Sequence, residues 1–276
     1  MKTILSLSAI LILANFGFCG EAEDSFARGT QKAQTGDFTG GILDFTKAIE
    51  SKTNYPDAFY NRGMAKYYTG DLDGAIADFT KAIELKPGYA LAYINRGTVK
   101  FDKGDLDGSI ADDSKSIELN PRESLAYKNR GTAKFGKGDI DGSLADLNKA
   151  IDLSPNDAEA YYKRGVLKQQ ATNDLDDAMV DYTKAIELKP NYANAFSNLG
   201  VAKKDKGDLD SALANFNKAI EAKPDFAEAY NNRGNVKKTK GDINGALADF
   251  EKALEFKPGD TKFQKNLEDV KNLKAK

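Results

Sequence analysis

The chain has 276 residues, 41% of them hydrophobic and 30% charged, with a formal net charge of −2 and a pI near 5.5. That composition fits a folded, water-soluble chain and supplies no broad basic field for nucleic acid or an anionic membrane surface. No histidine occurs, which excludes serine–histidine and cysteine–histidine nucleophiles and histidine metal sites; the single cysteine, Cys19, excludes an intrachain disulfide or a thiolate metal cage.

In chain order, Lys2 precedes an apolar run over residues 4–18 that is interrupted by Ser6, Ser8 and Asn15. The run is shorter than the roughly 20 residues needed to cross a bilayer. It reads as an export signal over residues 1–22, with small residues preceding alternative cuts after Cys19 and after Ala22. Membrane attachment would require a lipid on Cys19, and Phe18 just before it departs from the usual lipoprotein sequence. The expected location is therefore exported, periplasmic or secreted, with a lipid-anchored envelope protein as the lesser alternative.

From residue 23 onward the chain repeats itself. Glycines stand at 29, 63, 97, 131, 165, 200 and 234, and prolines at 87, 121, 155, 190, 224 and 258 keep the same beat of 34 residues, with one step of 35. A fixed period of this length marks stacked supersecondary units. Each unit writes two helices. In the second copy, Phe59, Arg62, Gly63 and Lys66 begin one helix, "GDLDG" punctuates, and Ala75, Ile76, Phe79, Ala82 and Ile83 form the apolar stripe of another, which Pro87 ends.

The 34-residue period with its large residue, glycine, alanine, aromatic and proline in fixed order resembles the tetratricopeptide repeat. The large residue is Phe59, Tyr93, Tyr127, Tyr161, Phe196 or Tyr230, and the second-helix aromatic is Phe45, Phe79, Phe216 or Phe250, varied to Leu147 and Tyr182. The resemblance implies an all-α fold, a right-handed superhelical solenoid of antiparallel helix pairs. Seven repeats would cover 23–260, and residues 261–276 would form a solvating helix whose Phe263, Leu267 and Val270 cover the last repeat. Repeat three departs most, with Asp113 in the aromatic slot and Ser116 in an alanine slot, and is expected to pack least well. Repeat five carries an extra residue near Thr172, so an irregular turn is expected there.

Asn-Arg-Gly recurs near the middle of the first helices. Glycine is expected to let paired helices approach closely, facing small residues such as Ala75, Ser109 and Ala212. Arg28, Arg62, Arg96, Arg130, Arg164 and Arg233 are each followed sixteen or seventeen residues on by Asp44, Asp78, Asp112, Asp146, Asp181 and Asp249; repeat six replaces both members, with Leu199 and Asn215. That joint change predicts an ion pair across each hairpin. Asn61, Asn95, Asn129, Asn198 and Asn232 remain. By the resemblance their slot faces the concave groove, solvent-exposed in the free protein, where one amide can match both C=O and N–H of a peptide. The bland alternative is a tolerated polar surface residue of this repeat subtype.

Further groove slots hold Tyr60, Met64, Tyr67, Ile94, Phe101, Phe135 and Tyr162, giving an aromatic and apolar N-terminal stretch beside the asparagine row. The "GDLDG" turns lack the spacing of a calcium loop, so Asp71 and its equivalents read as helix caps. No phosphate-binding or dinucleotide fingerprint is present. Taken together, the sequence predicts a non-catalytic scaffold for a protein or peptide partner, with no catalytic residues, cofactor, metal or nucleic acid. A structural component of a secretion or envelope complex is the first alternative, and a groove-based enzyme or carbohydrate binder the second.

Overall fold

The computed structural model describes residues 20–274, so the expected leader lies outside the described residues except for its last three. The chain divides into two compact units, Met1–Leu153 and Ser154–Lys276, and no described helix is long and apolar enough to cross a membrane. In the first unit four hairpins follow one another: α1 (Glu21–Gln34) with α2 (Phe38–Ser51), α3 (Pro56–Thr69) with α4 (Leu72–Leu85), α5 (Ala90–Asp102) with α6 (Leu106–Leu119), and α7 (Ser124–Gly136) with α8 (Ile140–Leu153). The second unit pairs α9 (Ala158–Leu167) with α10 (Leu175–Leu188), α11 (Ala193–Asp205) with α12 (Leu209–Ala222), and α13 (Ala227–Thr239) with α14 (Ile243–Phe256), then adds α15 (Thr261–Lys274). The described residues thus form an all-α array of tetratricopeptide type.

The turn inside each hairpin follows from two residues. Gly70 takes the left-handed conformation (φ 87°) that ends α3, and the Asp71 side chain then accepts a hydrogen bond from the Gly74 amide at 2.9 Å, capping α4. Asp37, Asp105, Asp139, Asp174, Asp208 and Asp242 cap their helices in the same way. The extra residue of repeat five is absorbed by a π-helical turn, Lys168–Thr172, after which Asn173 adopts the left-handed conformation (φ 53°) that glycine holds elsewhere.

Close helix approach is set at the first-helix glycines. A Cβ on Gly63 would lie 3.0 Å from the Phe79 ring and 3.3 Å from the Ala75 carbonyl oxygen. Gly63 thus faces the small Ala75 as expected, and Gly97 likewise faces the Ser109 carbonyl at 3.3 Å, with the aromatic edge as an additional close neighbour of Gly63. In α15 the corresponding position is Glu268, which is exposed, and the helix buries Phe263 and Val270.

The predicted ion pairs form. Arg130 binds Asp146 with two parallel bonds, Nε to Oδ2 at 2.8 Å and Nη2 to Oδ1 at 2.7 Å, and the same geometry recurs for Arg62–Asp78, Arg96–Asp112, Arg164–Asp181 and Arg233–Asp249. Each of these aspartates also holds a lysine four residues beyond the arginine; Lys134 reaches Asp146 at 2.8 Å. The third arginine nitrogen crosses to the preceding repeat, Arg130 Nη1 meeting Ser114 at 3.1 Å and Arg96 Nη1 meeting Thr80 at 2.9 Å. The ring one helical turn back, such as Tyr127, lies under the guanidinium. Arg28 is half exposed and stands 3.7 Å from Asp44. In repeat six Leu199 is buried and Asn215 turns back to the Ser211 carbonyl.

Because Lys134 stays on Asp146, Arg130→Leu is expected to cost about 2 kcal/mol, the worth of its charged hydrogen bonds. Arg130→Leu with Lys134→Met strands a buried carboxylate and should cost about 3–5 kcal/mol, most of which Asp146→Asn restores. Chemical denaturation of the four chains measures the series; equal losses in the double and triple variants would contradict the pairing.

Candidate functional site

The first helices of each unit share one face, and the structure sorts the predicted groove residues on it by depth. In the first unit Tyr60, Asn61, Met64, Ile94 and Asn95 are buried, none more than 7% exposed. For Asn61 and Asn95 this corrects the expectation of a solvent-facing slot, whereas Asn129, Asn198 and Asn232 stay partly exposed. The cause is stacking against neighbouring repeats. Tyr60 stacks on Tyr89 with ring centroids 5.0 Å apart, and its hydroxyl accepts a hydrogen bond from Asn95 Nδ2 at 2.7 Å. Burial pushes the Tyr60 hydroxyl up to about 12.

The asparagine row is a set of rungs between repeats. Asn61 Nδ2 reaches Thr30 Oγ1 at 3.5 Å and Asn129 Nδ2 reaches Thr98 Oγ1 at 3.2 Å. Thr98 already donates to the Ile94 carbonyl, so its oxygen must accept, which fixes the orientation of the Asn129 amide. In the second unit Asn198 Nδ2 meets the Tyr162 hydroxyl at 3.2 Å, while Asn231 accepts from Asn266 of α15 at 2.7 Å. Asn232 is half-buried. Sequence reasoning missed this role because each acceptor stands 31 to 36 residues earlier in a slot occupied variously by threonine, tyrosine or asparagine. The hydroxyls roughly one repeat before Asn61, Asn95, Asn129 and Asn198 were the available signal.

Tyr67, Phe101 and Phe135 remain partly exposed on three successive first helices of the first unit. Tyr67 donates to Asp102 Oδ2 at 2.6 Å, and burial followed by that carboxylate raises its pKa, so it stays a neutral, oriented phenol. Beside it Tyr68 stacks on Phe38 at 4.7 Å. The second unit's face is more polar: Tyr162 and Val166 are partly buried, Ser197 and Asn231 are buried, and Lys204 and Lys238 are partly exposed. Among the described residues no group of three or more acidic or cysteine side chains is placed to hold a metal ion. A recess of about 470 Å³ between Pro190, Phe196 and Lys218 shares none of the predicted residues.

Stacked helical hairpins with glycine-set contacts and a residue-lined first-helix face define a repeat protein of binding type. Family models agree. A tetratricopeptide repeat model matches residues 56–89 and 227–260, and a TPR repeat model matches 131–171, 170–207 and 202–241. The chain belongs to the tetratricopeptide repeat proteins, which generally bind protein or peptide partners. No curated protein sequence is a match. Among solved structures, a tetratricopeptide repeat protein from Parabacteroides merdae aligns with a TM-score of 0.71 at 17% identity, over 91% of this chain and 98% of that one. The Cut9–Hcn1 hetero-tetramer of the APC/C aligns at 0.75 and 16% identity over 90% of this chain, which spans about half (48%) of that relative's length. Both likenesses concern the fold. YrrB, described as a TPR protein with an unusual peptide-binding site, is 28% identical, with a TM-score of 0.52 over 67% of this chain and 95% of its own.

The rung geometry predicts that Asn95→Ala destabilises the fold by about 1 kcal/mol or more, since it leaves the buried Tyr60 hydroxyl without its donor. A double-mutant cycle with Tyr60→Phe should return a coupling of about 0.5–1.5 kcal/mol. Additive losses would mean that the two side chains do not communicate.

Proposed function

We propose that this protein is a non-catalytic interaction scaffold that holds an extended segment of a protein partner on the first-helix face of its first unit. The observation that carries the reading is the partly exposed row Tyr67, Phe101 and Phe135, repeated every 34 residues on successive first helices. Aromatic anchors fixed before binding lose little entropy when a ligand arrives. The asparagine amides contribute less than two-sided recognition would need. Asn129 and Asn198 spend their Nδ2 on the neighbouring repeat, so these half-buried side chains offer mainly a carbonyl to a ligand N–H. The similarity to YrrB supports peptide binding as the mode.

Docking through the second helices is the alternative. Its support is Leu43 and Val180, which are 62% and 66% exposed in equivalent slots of repeats one and five. Isothermal titration with a captured partner separates the two readings. Phe101→Ala and Tyr67→Ala should each weaken binding by about 2 kcal/mol, against little change for Asn232→Ala. Loss of affinity on Leu43→Ser instead, with Phe101→Ala neutral, transfers the site to the second helices.

Export is part of the same proposal. Its support is the apolar start of the sequence together with the position of α1, which begins at Glu21 behind Gly20 and buries Ala22. A cut after Cys19 leaves that helix whole, whereas a cut after Ala22 removes its first two residues, the buried Ala22 among them. Intact-mass measurement of the protein from its native host should therefore find Gly20 as the first residue; a retained Met1 or a lipid on Cys19 would overturn the export reading.

A further inference from the structure

The third hairpin breaks the core pattern at two neighbouring positions. Phe45, Phe79 and Leu147 fill one slot of the first unit and Ala48, Ala82 and Ala150 another, all essentially inaccessible. Helix α6 places Asp113 in the first slot and Ser116 in the second, and both are 0% exposed. Neither carboxylate oxygen of Asp113 has a hydrogen-bond partner, nor does the Ser116 hydroxyl.

The surrounding charges are already committed. Arg96 and Lys100 of α5 both hold Asp112, the residue next to Asp113. Arg130 of α7 is bound to Asp146 of α8. Asp112 and Asp146 oppose a charge on Asp113, whereas Arg130 favours one; the Ser109 hydroxyl assists weakly without meeting hydrogen-bond geometry. Burial outweighs these influences and holds the Asp113 carboxyl well above its ordinary value of 3.8. In the other hairpins of the first unit an apolar side chain in this slot, Phe45, Phe79 or Leu147, has no charge to acquire. Here a neutral acid is tolerable, but an unpartnered ion is not.

We propose that the third hairpin is a proton-operated weak point of the first unit: α5 and α6 stay closed while Asp113 carries a proton and part locally when the proton leaves. The folded chain binds that proton more tightly than the unfolded chain does. Stability of the hairpin therefore declines as pH rises through the ordinary carboxylate value of 3.8 and stops declining only once Asp113 has ionised in the folded state. A helix pair between the two that bear Tyr67 and Phe135 thus gains a mobility that acid suppresses.

Hydrogen exchange on the full chain, corrected for the intrinsic effect of pH, tests this. Between about pH 5 and about pH 8, peptides from α5 and α6 should lose protection by roughly tenfold or more, while those from α3 and α4 hold theirs. Asp113→Asn, of equal size and uncharged, should abolish the difference; Asp113→Phe should raise protection at both values. Equal protection of the native chain at the two pH values, or the same difference persisting in Asp113→Asn, overturns the proposal. So does a carbon NMR titration of the Asp113 carboxyl with an ordinary midpoint, a readout that depends on no variant.

Discussion

Each hairpin is closed by one crowded contact between its two helices, and the rest of the array follows from it. At Gly29, Gly63, Gly165, Gly200 and Gly234 an aromatic ring lies where a Cβ would crowd it, 2.8 Å away for Gly165 and Tyr182, while Gly97 and Gly131 face an aspartate Cβ and a serine carbonyl at 3.2–3.3 Å. That approach brings the aspartate just before the aromatic under the first helix, where it is about 95% or more shielded. A carboxylate in that place must be neutralised, and one cation does not use all of its acceptor sites. Arginine takes both oxygens in parallel and lysine takes the remaining approach to one of them. The arginine's spare nitrogen then ties the hairpin to the one before it. A close backbone contact thereby dictates a buried charge, the buried charge dictates its partners, and one partner stitches the repeats together.

The places where the pattern lapses follow the same logic. Repeat six gives up arginine and aspartate together, so that neither is left stranded, and Lys203 turns toward Asp208 at 3.9 Å. Repeat one keeps both residues, and its Arg28 stays half exposed. Repeat three keeps the ion pair and loses the aromatic, leaving an acid in an apolar slot. The exposed lysine–aspartate contacts between successive turns, such as Lys103 with Asp73 and Lys240 with Asp210, add regularity more than strength, since solvent screens them.

Much of this was legible in the sequence because it is local and periodic. The glycine and proline beat gave the repeat, the helical stripes gave the hairpins, and the simultaneous change to Leu199 and Asn215 exposed the ion pair without any structure. The extra residue near Thr172 marked an irregular turn, although only the backbone could show that it becomes a π-helical one. What the sequence hid were contacts whose partners lie in another repeat. The lysine four residues after each paired arginine is the second partner of the aspartate, a contact to the second helix that the first-helix pattern alone does not announce. The asparagines looked like an exposed row, whereas hydroxyls roughly one period earlier draw Asn61 and Asn95 inward. A side chain's depth on this face is decided by the neighbouring repeat, and no single-helix periodicity carries that information.

The central claim is that the first-helix face of the first unit receives the partner through its aromatic row, with the asparagines serving mainly to hold the repeats. Hydroxyl-radical footprinting of the complex with a bound partner tests it most directly, because it reads tyrosine, phenylalanine and leucine side chains on both faces in one experiment. The account predicts that Tyr67, Phe101 and Phe135 lose reactivity on binding while Leu43 and Val180 keep theirs. Protection of Leu43 and Val180 with an unchanged aromatic row would contradict it.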